Sequence, residues 1–506
     1  MTGVPASAAP TGVGARGAIR REGPDVKQFC EQCLDAAAAA GASYADVRVT
    51  DTLTQALSVR NGVVEGVSGG SSFGFGVRVV ADGAWGFAAS SEVTGESAAR
   101  VARQAVAIAR ASATVGARPI ALSPLQAHTG TWTGPCAVDP FSVSTDDKLR
   151  VLFDADEAMR AQEGIALTTG SMSFLRERKT FASSEGSFIE QEWVESSAGI
   201  ACYAIGDGDV VTRSYPNSHG GACYQGGWET IAALDLPGNA PRIAEQAVQL
   251  LAAPLCPEST TSLILDGSQL ALQVHESVGH PTELDRVLGD EAAFAGTSWV
   301  GPGDLDTLRY GSPAVTITAD ATVAGSLGSF GYDDEGVPAK REYLVRDGIL
   351  TGFLSGRESA AAIGRASSGA MRADGWARTP LVRMTTVSLE PGDAGTLDEL
   401  IADTDEGIYM ETNESWSIDD KRLNFQFGCE IGWEIKGGKR ARILRNPVYT
   451  GITPEFWGGC DAICSRSEWQ VWGLDNCGKG EPMQVAHVAH GAAPARFRDV
   501  RIGVGR

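Results

Sequence analysis

The sequence predicts an α+β protein, with an N-terminal α/β domain of antiparallel sheet and helices over residues 24–255 and a β-rich C-terminal domain over 256–506. Three observations carry this reading. Runs with apolar residues at helical spacing alternate with hairpin-like strands in the first half, Pro254 and Pro257 interrupt the chain near its middle, and the second half reads mostly as strand. At 506 residues the chain is long enough for two or more domains, each with a core of its own.

Each element has a local reason. "PDVKQFCEQCLDAAAAAGA", "SAARVARQAVAIARASA" and "DDKLRVLFDADEAMRAQEG" repeat apolar side chains on one helical face, and burying that face requires a partner layer. Between them "LSVRNGVVEGV" and "GVRVVADGAWGFAAS" read as strands, with Asn61-Gly62 and Asp82-Gly83 as hairpin turns because both residue types accept positive φ at low cost. "APRIAEQAVQLLAAP" is a last amphipathic helix before the proline break. Beyond it "TSLILDG" is a strand, Ser268 an N-cap and "QLALQVHESV" a short helix, which Gly279 ends by a left-handed exit and Pro281 stops from continuing. Further hairpins stand at "EYLVRDGILTGFLS" and "GCEIGWEIKGGKRARIL". Residues 1–23 are small and flexible in type and lack the apolar core of a signal peptide, so they read as a disordered tail on a cytoplasmic protein.

Composition removes several function classes. A formal charge of -21 and a pI near 4.8 disfavour nucleic acid and anionic membrane surfaces, which repel an acidic face. No uncharged apolar stretch reaches the ~18 residues that a bilayer span requires. The ten cysteines are too scattered for a secreted disulfide framework. Cys30 and Cys33 sit in an alanine-rich helical run and read as packing, as do Cys460 and Cys464. Gly-rich "SGGSSFGFG" follows no strand-to-helix pattern, which argues against a phosphate loop.

The chemistry concentrates in "HESVGH", where His275 and His280 bracket Glu276 at a separation of five rather than the four of the common zinc helix. On a regular helix five positions turn through about 500°, which leaves the two imidazoles roughly 140° apart. A distorted exit at Gly279 would bring the second ring back beside the first.

"HESVGHPTELDRVLGDEAAFAGTS", "GYDDEGVPAKREYLVRDGILTGFLSG", "TPLVRMTT" and "DNCGKG", in that order, resemble the TldD/PmbA family, and the chain is similar to its metal-bearing TldD type from about residue 26 onward. That resemblance implies a zinc metalloprotease. It implies His275, His280 and Cys477 of "DNCGKG" as zinc ligands, Glu276 as catalytic base, and Arg383 of "TPLVRMTT" as a substrate contact. It also implies extended or unfolded peptides as substrates, natural-product precursors among them, and a dimer with a PmbA-like paralogue or with itself. The roles of His487 and His490, just beyond the cysteine, stay open.

The residue types fit that chemistry independently. Zinc takes nitrogen and sulfur ligands tetrahedrally, and a catalytic site keeps one position for water. Two neutral imidazoles and one thiolate leave the ion at net +1, enough to acidify that water. Glu276, beside a ligand, can take the water proton and pass it to the leaving amine. Two rival readings remain: a non-catalytic partner subunit, against which the retained His275, Glu276 and His280 argue, and a cysteine-dependent hydrolase using Cys477 with His487 or His490.

Overall fold

The structure is a computed structural model and describes residues 25–503 except 116, 117, 207, 219, 295, 481 and 482; the tail expected over 1–23 lies outside the described residues. The first half is an eight-stranded sheet with helices packed on it. Its central path runs β3 (Ala84–Ser90), β2 (Val63–Ala81), β1 (Tyr44–Arg60), β5 (Ile165–Ser183), β6 (Phe188–Gly206), β4 (Thr129–Thr133), with β7 (Asp209–Tyr215) and β8 (Ala222–Gln225) also on β6. All the pairings are antiparallel except β4 with β6. The expected turns form it: φ is 47° at Asn61, 75° at Gly62, 50° at Asp82 and 78° at Gly83.

Helices α1 (Val26–Ala39) and α2 (Gly95–Ala113) cover the β1–β2–β3 end, and the Asp25 carboxylate and a Thr94/Ser97 capping box satisfy their first free N–H groups. Cys30 and Cys33 lie in that core as free thiols, and burial pushes Cys30 up to about 12. That is packing, as the sequence suggests. Helix α3 (Thr145–Arg160) and the helix Leu236–Ala252 enclose a second core over β5 and β6, which Ile431 of the other half completes.

The second half is built on strands, as expected. Five of them, Glu406–Ile418, Ser259–Leu265, Ala495–Ile502, Val448–Ile452 and Asn424–Lys436, pair in turn, and the last pairs back to the first, so the ring closes. Closure hides strand edges. A four-stranded sheet and the hairpin Gln470–Lys479/Gln484–Ala492 pack beside it.

Buried ion pairs lock the halves together. "GYDDEG" delivers Asp334 to Lys179 at 3.1 Å and Glu335 to Arg78 at 3.2 Å, while Arg213 meets Glu430 and Glu411, both at 2.9 Å. Removing one member would strand its partner's charge in the interior, which costs about 3–5 kcal/mol.

Candidate metal centre

The site begins where Ser259–Leu265 ends. Asp266 turns the chain into the helix Gly267–Val274, its carboxylate accepting from the N–H of Ser268 at 3.0 Å and of Gln269 at 3.1 Å. The cap is therefore Asp266 and not Ser268, which lies inside the first turn. Asp266 wins because it is the last extended residue, at ψ 168°.

The helix does not stop at Val274. Residues His275–Gly279 form a π-helical turn and His280–Thr282 a 3₁₀ turn, with the His280 N–H donating to the His275 carbonyl five residues back. In this wider turn five residues make little more than one circuit instead of about 1.4. His275 and His280 thus fall on one face, their ring centroids 4.7 Å apart. The left-handed exit expected at Gly279 is absent: its φ is -56° and the chain stays right-handed through it. Glycine is required there for space, since a Cβ would stand 2.2 Å from the Met384 Sδ.

Cys477 arrives from the hairpin Gln470–Lys479/Gln484–Ala492, its Sγ 3.8 Å from His280 Nε2. One ligand atom from each of His275, His280 and Cys477 lies within 4.8 Å of the others, and the three residues are between 4 and 5 % exposed. Among the described residues this is the one His/Cys/Asp/Glu group placed to hold a metal ion.

Hydrogen bonds decide where the imidazole protons sit. The Val387 carbonyl can only accept, so His490 Nδ1, 2.9 Å away, carries a proton and His490 Nε2 is an acceptor. That Nε2 lies 2.8 Å from His275 Nδ1, which must then donate. The His275 lone pair is left on Nε2. At His280 the Nδ1–H donates to the Glu283 carboxylate at 2.9 Å, which leaves the lone pair on Nε2, facing Cys477. Burial holds His275 below the usual imidazole range and His280 and His490 well below it. Burial alone would push the Cys477 thiol up, but the His280 ring and the Arg383 guanidinium beside it bring it below its ordinary value. Two neutral nitrogens and a readily ionised sulfur are a donor set that suits a borderline-soft ion such as zinc.

Glu276 sits beside the ligand set at 6 % exposure, its carboxylate contacted by the Arg422 guanidinium. Arg422 has φ 63°, on the connection between Glu406–Ile418 and Asn424–Lys436, where Asp419 holds the N–H of Leu423 at 2.8 Å.

Residues 258–503 match the model of the PmbA/TldA metallopeptidase C-terminal domain, residues 45–109 that of its domain 1, and residues 138–255 that of its central domain. A metalloprotease of Methanocaldococcus jannaschii is 30% identical over 437 residues, 86% of this chain and 92% of that protein. The chain belongs to the TldD/PmbA metallopeptidase family. A metalloprotease TldD homolog of Haemophilus influenzae is 25% identical over 86% of this chain and 88% of that one. The solved structure of TldE from Thermococcus kodakarensis shares the fold, with a TM-score of 0.73 at 15% identity, over 94% of this chain and 100% of that one. No helix of the described residues is long and apolar enough to cross a membrane.

Within this TldD/PmbA fold the remaining expected residues have definite places. Arg383 is 1 % exposed, and its two Nη atoms donate to the carbonyls of Gln484, at 3.1 Å, and Cys477. His487 contacts Glu195 of β6, 28 % of its side chain exposed, and His490 sits on His275. Neither is paired with Cys477; the imidazole at that sulfur is His280. Glu283, Val387, Lys479 and Arg422 carried no sequence signal, because each works through a contact that only the fold creates.

Proposed function

We propose that the chain is a zinc-dependent peptidase in which His275, His280 and Cys477 hold the ion and Glu276 moves the proton. The convergence of the three donor atoms within 4.8 Å in a buried site, with both lone pairs fixed by neighbours, carries this reading. When bound there, zinc supplies Lewis acidity toward a peptide carbonyl and lowers the pKa of water. The chain's own residues do the rest. Glu276 accepts a proton from the attacking water at its carboxylate and delivers it to the leaving amine, so no free anion forms in a site that excludes bulk water. Arg422 ties that carboxylate to the connection Asp419–Leu423. His490 and Glu283 keep the two rings turned, and Lys479, wholly buried, holds Glu283 at 3.3 Å. Arg383 supplies positive charge beside the thiolate, and it acts on Cys477 rather than by touching substrate.

Extended or unfolded peptides are the substrates this reading favours, natural-product precursors among them, since a buried metal admits one chain and not a packed domain. A dimer with a PmbA-like paralogue or with a second copy, in the cytoplasm, completes the proposal, as does a chain boundary near residues 255–256. A Cys477–His280 pair acting as nucleophile and base is a second reading, favoured by their 3.8 Å approach and the lowered thiol. Chelation separates the two. Peptidase activity lost in o-phenanthroline and restored by zinc supports the metal reading; activity indifferent to the chelator and abolished by thiol alkylation supports the other.

A further inference from the structure

A cavity of about 610 Å³ does not contain the ligand set but opens next to it, between the two halves. Trp85 and Phe87 of β3 and Ile108 of α2 form one wall, and Phe294, Met371 and Leu381 face them. Among the described residues five carboxylates also line it, those of Asp285, Asp290, Glu291, Glu335 and Glu358, against one lining cation, Arg78. Arg78 is already engaged: it donates to Asp46 at 2.9 and 2.7 Å and to Glu335 at 3.2 Å, and lies 4.4 Å from the Trp85 ring centre. Asp285 is likewise matched, by Lys479 at 2.8 and 2.9 Å. Asp290, at the exposed mouth, feels the charge of Arg118.

Glu291 and Glu358 are left over. Glu291 is 9 % exposed, and its Oε2 has no hydrogen-bond partner among the described residues. The cations nearest to it, Arg286 at 3.9 Å and Lys479 at 4.0 Å, stand beyond hydrogen-bonding distance. Glu358 accepts from the Trp85 indole at 2.6 Å and is otherwise open to the cavity. Burial pushes Glu291 up to about 6, which is the strain of a carboxylate desolvated without enough positive charge, while Glu358 stands exposed at the cavity.

We propose that this cavity receives the guanidinium or ammonium head of a basic peptide side chain, its aliphatic stem lying on Trp85 and Phe294 and its charge answering Glu291 and Glu358. An anion would be repelled by the carboxylates, and a wholly apolar ligand would desolvate them further. A divalent metal is disfavoured because these carboxylates do not converge as a ligand group. An alkyl cation satisfies both the aromatic walls and the surplus carboxylate charge of Glu291 and Glu358. The wall also connects to the metal centre: Asp285 binds Lys479, Lys479 lies 3.3 Å from Glu283, and Glu283 holds His280. A side chain seated here would belong to a residue a short way along the chain from the bond at the ligand set. That the cation is part of a peptide rests on the peptidase reading above; the cation site itself does not.

Calorimetric titration of the full chain with n-butylguanidinium, n-butylammonium and neutral n-butylurea tests the site directly. Saturable binding of both cations, with the urea and the Glu291→Gln/Glu358→Gln variant each weaker by on the order of tenfold, is the expected result. Should the double variant not fold, Phe294→Ala, at a residue 54 % exposed, removes stem contact without touching the core and is expected to weaken both cations. Absence of saturable binding to folded wild type, equal binding of the urea, or affinity unchanged in every folded variant overturns the site. Peptides differing by arginine against citrulline then test its occupant: a lower KM for arginine, lost in the variants, is expected, and cleavage indifferent to that exchange overturns the peptide assignment. Cation binding without cleavage of any peptide would instead remove the peptidase reading and leave the cation site standing.

Discussion

Without its ring, His490 leaves the His275 Nδ1 proton with no acceptor in a buried site, and the tautomer that presents Nε2 is no longer enforced. His490→Leu is expected to weaken zinc binding by about 10–100-fold, with His490→Gln, which can still accept, recovering part of that loss; competition against a chromophoric chelator measures both. Glu276→Gln keeps shape and its place beside Arg422 but cannot take a proton. Zinc content should stay at the wild-type level while peptide cleavage falls by roughly 10²–10⁴, and near-normal turnover would remove Glu276 from the role. The sequence made both histidines and the glutamate visible, because ligand chemistry restricts residue type, whereas the cysteine came only through the family resemblance. It could not show His490 or Arg422 in their places, since their partners lie 215 and 146 positions away, nor which ring atom Glu283, only 3 positions from His280, would hold.

At the level of the element, the five-residue spacing is resolved by a wide turn inside the helix rather than by its unwinding. The expectation located the distortion correctly and misassigned its form, because glycine near a proline reads as a left-handed stop when the packing against Met384 is not known. Gly279→Ala would force a Cβ to within 2.2 Å of the Met384 Sδ in a fully buried contact. Overpacking of that kind costs about 1–3 kcal/mol and should disturb the turn that aligns His275 with His280. The denaturation midpoint and the zinc affinity should therefore both drop, and Met384→Ala in the same chain should restore much of each. A variant as stable and as tight for zinc as wild type would show that the turn does not depend on this contact. The hairpins at Asn61-Gly62, Asp82-Gly83 and Asp347-Gly348 were legible for the opposite reason: each is set by its own two residues, with positive φ at every position.

Across the whole molecule, the ion pairs that join the halves were not readable from charge counts, because a surplus of acid does not say which carboxylates meet which cations. His487 reports one of these joints. Its contact with Glu195 of β6 outweighs the opposing effect of burial and raises it from 6.5 to about 9. A raised folded-state value means the contribution is complete below about 6.5 and is lost as pH climbs through about 9. His487→Gln should therefore flatten the decline in denaturation midpoint over that window relative to wild type, and parallel declines in the two proteins would exclude His487 as its source.

If His275, His280 and Cys477 together hold one ion, elemental analysis of freshly purified protein finds it. About one zinc per chain is expected in wild type and in Cys460→Ala, with zinc lost from His275→Ala, His280→Ala and Cys477→Ala proteins that retain their fold. No zinc in the wild type, or a full complement in folded Cys477→Ala, would contradict that ligand set.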